Sequence, residues 1–315
     1  MDDNSTRGDE NTFQSLFCDA FYVNDLRATD IILPLTLNIL LAISAIVGNS
    51  LILATLGKVS SLHPPSKLLF RCLAFTDILA GLVSQPLHVI YLVFIITRDS
   101  QRVEICFYMA YFMTATATTL YAVSLMISVA ISVDRVLALF LGLRYRHTVT
   151  FKRTFAVILC FWLLSITFTL VSYRRSTLHA STIYIAIALM MVCVATSGFC
   201  YTKIVLKLRR QQNQIHEQTN RTRFQPNIAR LRKVVCSAVW VQGTLDVCFM
   251  PFIIVTAVIL FDTNGRSTSL FMAWEFTMIL IFLSSSINPF LYCFKIGEVR
   301  SAVKSTVKQM YCLSN

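Results

Sequence analysis

Five side chains stand out among the hydrogen-bonding groups inside long apolar runs. They are Asn49 in VGNSL, Asp77 in LAFTDILAG, Ser124 in YAVSLM, and Ser285 and Asn288 in SSSINPFLYCF. Strongly polar groups at membrane depth are costly, so each needs a partner, and function is the default reading. Pro289 directly follows Asn288 and removes one helical hydrogen bond. In a bilayer the carbonyl it frees must be met by a neighbouring helix or by ordered water, so Asn288 is read as facing a polar interior. Asp134 and Arg135 add two opposite charges in SVDRV, towards the end of the apolar run that holds Ser124. These types serve hydrogen bonding and charge pairing, not covalent catalysis. The chain has no GxSxG, and its histidines (His63, His88, His147, His179 and His216) are dispersed, so it is not read as an enzyme. Ten cysteines without CxxC or metal spacing argue against a zinc site. Buried charges that come one per span argue against a continuous pore, and no paired Gly/Pro interruptions mark a transporter repeat.

The elements that must position these groups are membrane helices. The 315 residues are 56% hydrophobic and 14% charged, with mean hydropathy +0.64, too apolar for an ordinary soluble domain. Windows of about 20 apolar residues, the length that spans a bilayer, recur near 31–57, 68–95, 106–140, 155–173, 181–206, 234–261 and 268–293. The fold class expected is an all-α membrane protein, a seven-transmembrane helix bundle with a short C-terminal amphipathic helix. Its parts are an extracellular N-terminus (1–30), a membrane domain (31–293) and a cytoplasmic helix and tail (294–315).

Orientation follows from basic residues, which collect on the cytoplasmic side. Residues 1–30 hold seven acidic residues against two arginines, whereas Lys58, Lys67, Arg71, Arg144, Arg146, Lys152, Arg153 and the cluster from Lys203 to Lys233 share the other side. The N-terminus is therefore placed outside, and the first 30 residues are too polar for a cleavable signal. The net charge of +12 reflects this bias and an attraction to anionic membrane lipids, with no nucleic-acid partner implied. On the outer side Asn4 heads an NST glycosylation sequon. Cys18 and Cys106 are the outer-side cysteines, where a disulfide can form. In KIGEVRSAVKSTVKQM, Ile296, Val299, Val303 and Val307 recur at helical spacing among basic residues, which suits a helix lying on the inner surface. Cys312 then reads equally as a palmitoylation site or a plain terminal cysteine.

The ordered set GN, LAxxD, DRV, a lone Trp162, Tyr201, CFMP and NPFLY resembles the rhodopsin-like (class A) family of G-protein-coupled receptors, over about residues 30–310. The likeness implies a plasma-membrane receptor with a heterotrimeric G protein, arrestin and a receptor kinase as partners and an unknown extracellular ligand. It implies an activation switch built on Asp134, Arg135, Tyr201, Phe249, Pro251, Asn288, Pro289 and Tyr292, with Tyr292 swinging towards Tyr201 as Arg135 leaves Asp134. It also implies that Asn49, Asp77, Ser124, Ser285 and Asn288 hold an allosteric sodium ion; a polar core without an ion is the other reading. No other cofactor is implied.

Departures from the family's pattern narrow the ligand. Ser284 stands where relatives often have asparagine, Phe249 replaces a tryptophan and Leu245 a phenylalanine, while Leu231 takes the place of an acidic residue that pairs with the arginine elsewhere. The missing salt bridge implies basal signalling. Asp246, with Gln242 four residues back, has no settled role. Cys193 for a proline, Ala110 for a cysteine and a cysteine-free loop over 173–181 place the chain nearest the melanocortin, adenosine and lipid-receptor branch. Ala117 excludes amine recognition and Phe282 a retinal Schiff base. Leu87, Ala110 and Thr114 replace the acidic cluster that binds basic peptides. The remaining pocket set is Ala117, Thr118, Tyr121, Phe252, Ile253, Met278 and Phe282, with His88 and Glu275 as polar anchors near the mouth. Such a lining favours a small, largely apolar ligand, lipid-like or nucleoside-like; mutual packing is the alternative. A ligand-independent receptor or scaffold is the alternative function, since the altered relay can uncouple ligand from G protein.

Overall fold

Helix α1 (Ala28–Leu56) opens the described part of a computed structural model, which covers residues 27–59, 62–97, 103–174, 179–218, 243, 247–259, 268–295 and 297–314. After it come α2 (Pro64–Leu79), a π turn (Ala80–Ser84) and α3 (Gln85–Thr97). Next are α4 (Val103–Leu141), a 3-10 turn (Gly142–Arg144), α5 (Tyr145–Thr148), α6 (Phe151–Arg174) and α7 (His179–Gln218). The chain closes with α8 (Val247–Ile259), α9 (Thr268–Lys295) and α10 (Gly297–Ser314). Among the described residues six helical segments are long and apolar enough to cross a membrane, and α8 is a shorter apolar helix. No strand occurs among the described residues. The protein is an all-α, seven-helix membrane bundle.

Helices are what an apolar chain must form in lipid, because the backbone has to satisfy its own polar groups. The hydroxyls within them are satisfied the same way: Thr36, Thr55 and Thr76 donate to carbonyls three or four residues back. Each break in regularity has a local cause. Pro64 and Pro65 start α2, where a missing N–H costs nothing. Pro86 cannot donate to Leu82, and the chain passes through the π turn, with the Gln85 N–H reaching back to the Ala80 carbonyl. Gly142 adopts φ +52°, a left-handed conformation open to glycine, and ends α4.

The core runs along the bundle axis, with Ala45, Leu73, Val123, Ile127 and Phe282 fully shielded. Leu40, Leu164 and Val192 point outward, as lipid-facing residues do. Two glycines bring α1 against its neighbours. A Cβ at Gly81 would stand 2.9 Å from Ile46 Cγ1 and 3.1 Å from the Ala42 carbonyl, and one at Gly48 would stand 2.9 Å from Pro289 Cγ and 3.1 Å from its Cβ. A proline ring cannot swing aside. Gly48→Val is therefore expected to cost about 1–3 kcal/mol through overpacking, read as a lower melting temperature of the purified receptor. Unchanged melting would mean that α1 and α9 part without penalty.

Helix α10 lies where the basic amphipathic segment was expected, and it extends to Ser314. Val299 and Ala302 are buried and Val303 packs on the core, whereas Lys304 and Lys308 are exposed. Lys58, just after α1, donates to Thr306 Oγ1 at 2.9 Å and Gln309 Oε1 at 3.1 Å. Arg300 Nε donates to the Cys293 carbonyl at 3.0 Å, anchoring α10 to the end of α9.

Candidate functional site

The predicted polar residues of α1, α2 and α9 meet in mid-bundle. Asn288 Nδ2 donates to Asp77 Oδ2 at 2.8 Å, and both residues are wholly buried. Pro289 leaves the carbonyl four residues back, that of Ser285, without its helical donor. Asn49 Nδ2 fills that role at 3.0 Å, while also donating to the Ala45 carbonyl at 2.9 Å. The helix breaker in α9 is thus tolerated because an amide from α1 takes over the lost bond. The Ser124 and Ser285 hydroxyls lie beside the Asp77 carboxylate. Asp77 Oδ1, Asn49 Oδ1, Asn288 Oδ1 and Ser285 Oγ are buried without a hydrogen-bond partner. Ser284 stays out of the cluster and donates to the Ile281 carbonyl at 2.6 Å.

A second site lies at the bundle end that carries α10. Asp134 accepts from Tyr145 Oη at 2.6 Å on Oδ1 and from Ser66 Oγ at 2.8 Å on Oδ2, and it pairs with Arg135 Nη2 at 3.0 Å. Burial of this carboxylate is thereby compensated from three elements. The Arg135 guanidinium also sits 5.8 Å from the centroid of Phe70, whose ring meets Tyr292 edge-on at 5.1 Å. Phe70 therefore links the charge pair to α9. Tyr292 is buried at 3% exposure and Tyr201 is 45% exposed, so the two are not brought together in this conformation. Phe249 is buried in the core and Pro251 is half-buried. His63, just before α2, stacks on Tyr145 at 5.3 Å. Burial, and next the Arg146 guanidinium, hold its imidazole below the ordinary value, which keeps further positive charge away from Arg135.

At the opposite end, Ala117, Tyr121, Ile253, Met278 and Phe282 are buried, and Thr118 and Phe252 are half-buried. The Thr118 hydroxyl donates to the Thr114 carbonyl at 2.8 Å. His88 and Glu275 do not stand at an open mouth as expected from the sequence. His88 Nε2 lies 2.9 Å from Glu275 Oε2, each residue is 1% exposed, and His88 Nδ1 approaches Met113 Sδ at 3.0 Å. Two ionisable groups this deep need each other, and the pair ties α3 to α9. Phe282 packs edge-on against His88 at 5.2 Å and lies 5.7 Å from the Tyr121 ring.

Sequence reasoning missed Ser66, Phe70 and Tyr145 around Asp134, and Gln85, one turn before His88, with Asn38 on its carbonyl. A hydroxyl or ring at the boundary of an apolar run is common, so these carried no distinguishing signal. Asn4, Cys18, Leu231, Gln242, Leu245 and Asp246 lie outside the described residues, as does the side chain of Cys312. Cys106 is disulfide-bonded, and its partner lies outside the described residues. No group of three or more His, Cys, Asp or Glu fit to hold a metal occurs among the described residues.

The stretch of chain that carries the polar cluster and the charge pair matches a known family. The family described as 7 transmembrane receptor (rhodopsin family) matches residues 48–182 and 172–292, a reach that includes Asn49, Asp77, Asp134, Arg135, Asn288 and Tyr292. The chain belongs to the rhodopsin family of seven-transmembrane receptors.

Proposed function

We propose that this receptor sits in the plasma membrane with its N-terminus outside and converts binding of a small, largely apolar extracellular ligand into activation of a heterotrimeric G protein, with arrestin and a receptor kinase acting on the same cytoplasmic face. The observation that carries the reading is the state of Arg135. It is buried, it is held by the single carboxylate of Asp134, and its Nε has no hydrogen-bond partner. A cation held that way is a two-state element: a ligand or partner that favours the released form shifts the population only by binding the two states differently. The apolar character of the buried set Ala117, Ile253, Met278 and Phe282 supports the apolar ligand. The test is G-protein nucleotide exchange with the full-length receptor in lipid nanodiscs. Wild type is expected to catalyse exchange and Arg135→Ala to fall to the receptor-free rate. Equal exchange by both would remove the reading.

The mid-bundle cluster fits a sodium ion. Four buried oxygens (Asp77 Oδ1, Asn49 Oδ1, Asn288 Oδ1 and Ser285 Oγ) lack a partner, and hard cations take oxygen ligands. A bound ion would neutralise the carboxylate and favour the conformation that encloses it. Replacing N-methylglucamine by sodium is then expected to raise the melting temperature of wild type and to leave Asp77→Asn unchanged. The same sodium response in both would assign the cluster to hydrogen bonding alone.

A further inference from the structure

The outer half of the bundle holds a second polar group that the family switch does not use. Asn38 on α1, Ser84 in the π turn, Gln85 and His88 on α3, Tyr121 on α4 and Glu275 on α9 are each at most 4% exposed. They form one continuous cluster. Asn38 Nδ2 reaches the Gln85 carbonyl at 3.4 Å, the Tyr121 hydroxyl lies beside Ser84 and Gln85, and the Phe282 ring touches both Tyr121 and His88. Asn38 Oδ1 and Glu275 Oε1 are buried without hydrogen-bond partners, and Ser84 Oγ, the Gln85 amide and the Tyr121 hydroxyl have contacts with one another that fall short of hydrogen-bond geometry. An unsatisfied buried polar atom carries its full desolvation penalty. A concentration of such atoms in an otherwise apolar pocket marks a place completed by something from outside. The π turn lies in the same stretch, and π-bulges recur at functional sites.

The donor and acceptor balance says what that is. Asn38 Oδ1, Gln85 Oε1 and Glu275 Oε1 only accept; Gln85 Nε2 only donates; the two hydroxyls do either. The excess is of acceptors. The sole buried Arg or Lys among the described residues is Arg135, at the other end of the bundle, and His88 is already engaged by Glu275. A phosphate or carboxylate head would therefore meet a carboxylate with no cation to offset it.

We infer that the ligand's polar head is uncharged, carries N–H or O–H donors, and seats in the Asn38–Gln85–Tyr121–Glu275 cluster between α1, α3, α4 and α9. The inference rests on the apolar-ligand reading and adds the head group to it. The cluster is shut in this conformation, so Gln85 and Tyr121 must turn to admit the head.

The experiment uses full-length receptor in nanodiscs and four probes that share one 18-carbon monounsaturated chain and differ only in the head: primary amide, glycerol ester, free acid and phosphate monoester. The amide and glycerol ester are expected to raise the melting temperature, and the acid and phosphate to leave it unchanged. Gln85→Leu is expected to weaken the amide by about tenfold, the worth of one well-placed hydrogen bond. Ser84→Ala, a smaller change, is expected to weaken it by a lesser factor if Gln85→Leu does not fold. Anionic heads binding as tightly as the neutral ones, or neutral binding that neither variant weakens, overturns this inference and leaves the apolar-ligand reading standing. Failure of all four probes overturns both.

Discussion

Asp134→Asn is expected to raise ligand-free G-protein exchange by about tenfold or more. The carboxylate is the shared acceptor for Tyr145, Ser66 and Arg135. An asparagine keeps the shape and one acceptor oxygen and loses the charge, which leaves a buried guanidinium uncompensated. Breaking a buried ion pair this way costs about 3–5 kcal/mol. That penalty falls on the resting conformation, where Arg135 is 7% exposed, and is relieved when the arginine moves out. If about a third of it separates the two states, the ratio of resting to active receptor falls roughly tenfold, and a minor active population rises by about that factor. Exchange measured on Asp134→Asn and wild type at matched expression checks this. Basal rates that coincide would show that the pair belongs equally to both states and restrains neither.

Breaking the His88–Glu275 pair is expected to be the largest single blow to stability. His88→Leu leaves the Glu275 carboxylate buried, and Glu275→Leu leaves the His88 imidazole with the Met113 thioether as its polar contact among aromatic rings. Each single variant is expected to lose about 3–5 kcal/mol, the cost of an orphaned partner in a buried pair. The double variant is expected to lose less than the sum, because neither orphan then remains. Thermal melting of the four purified receptors closes the cycle. Strict additivity would mean that the 2.9 Å contact contributes nothing, and that both side chains act only through their packing with Phe282 and Met113.

Much of the bundle was legible in the residues because its causes are local. Apolar runs of bilayer length become helices, and α1, α2–α3, α4, α6, α7 and α9 lie over the expected spans. The facing of Asp77 and Asn288 was legible too, since strongly polar groups in lipid have few places to go. The pairing of His88 with Glu275 was not. His88 and Glu275 read as separate anchors at a mouth because nothing in a sequence says how far each helix is rotated about its axis.

By itself the sequence determined the number and placement of the spans, the helical hydrogen bond lost at Pro289 and the polar residues that would need company. It also determined the basic, amphipathic character of α10. Only the tertiary structure decided the company: Asn49 for the Ser285 carbonyl, Ser66 and Tyr145 for Asp134, Phe70 between Arg135 and Tyr292, and Glu275 for His88. The physical reason is that a helical period says which residues share a face, whereas contact between faces depends on rotation and depth. Those are set by close approaches such as Gly48 on Pro289 and by the π turn at Ala80–Ser84.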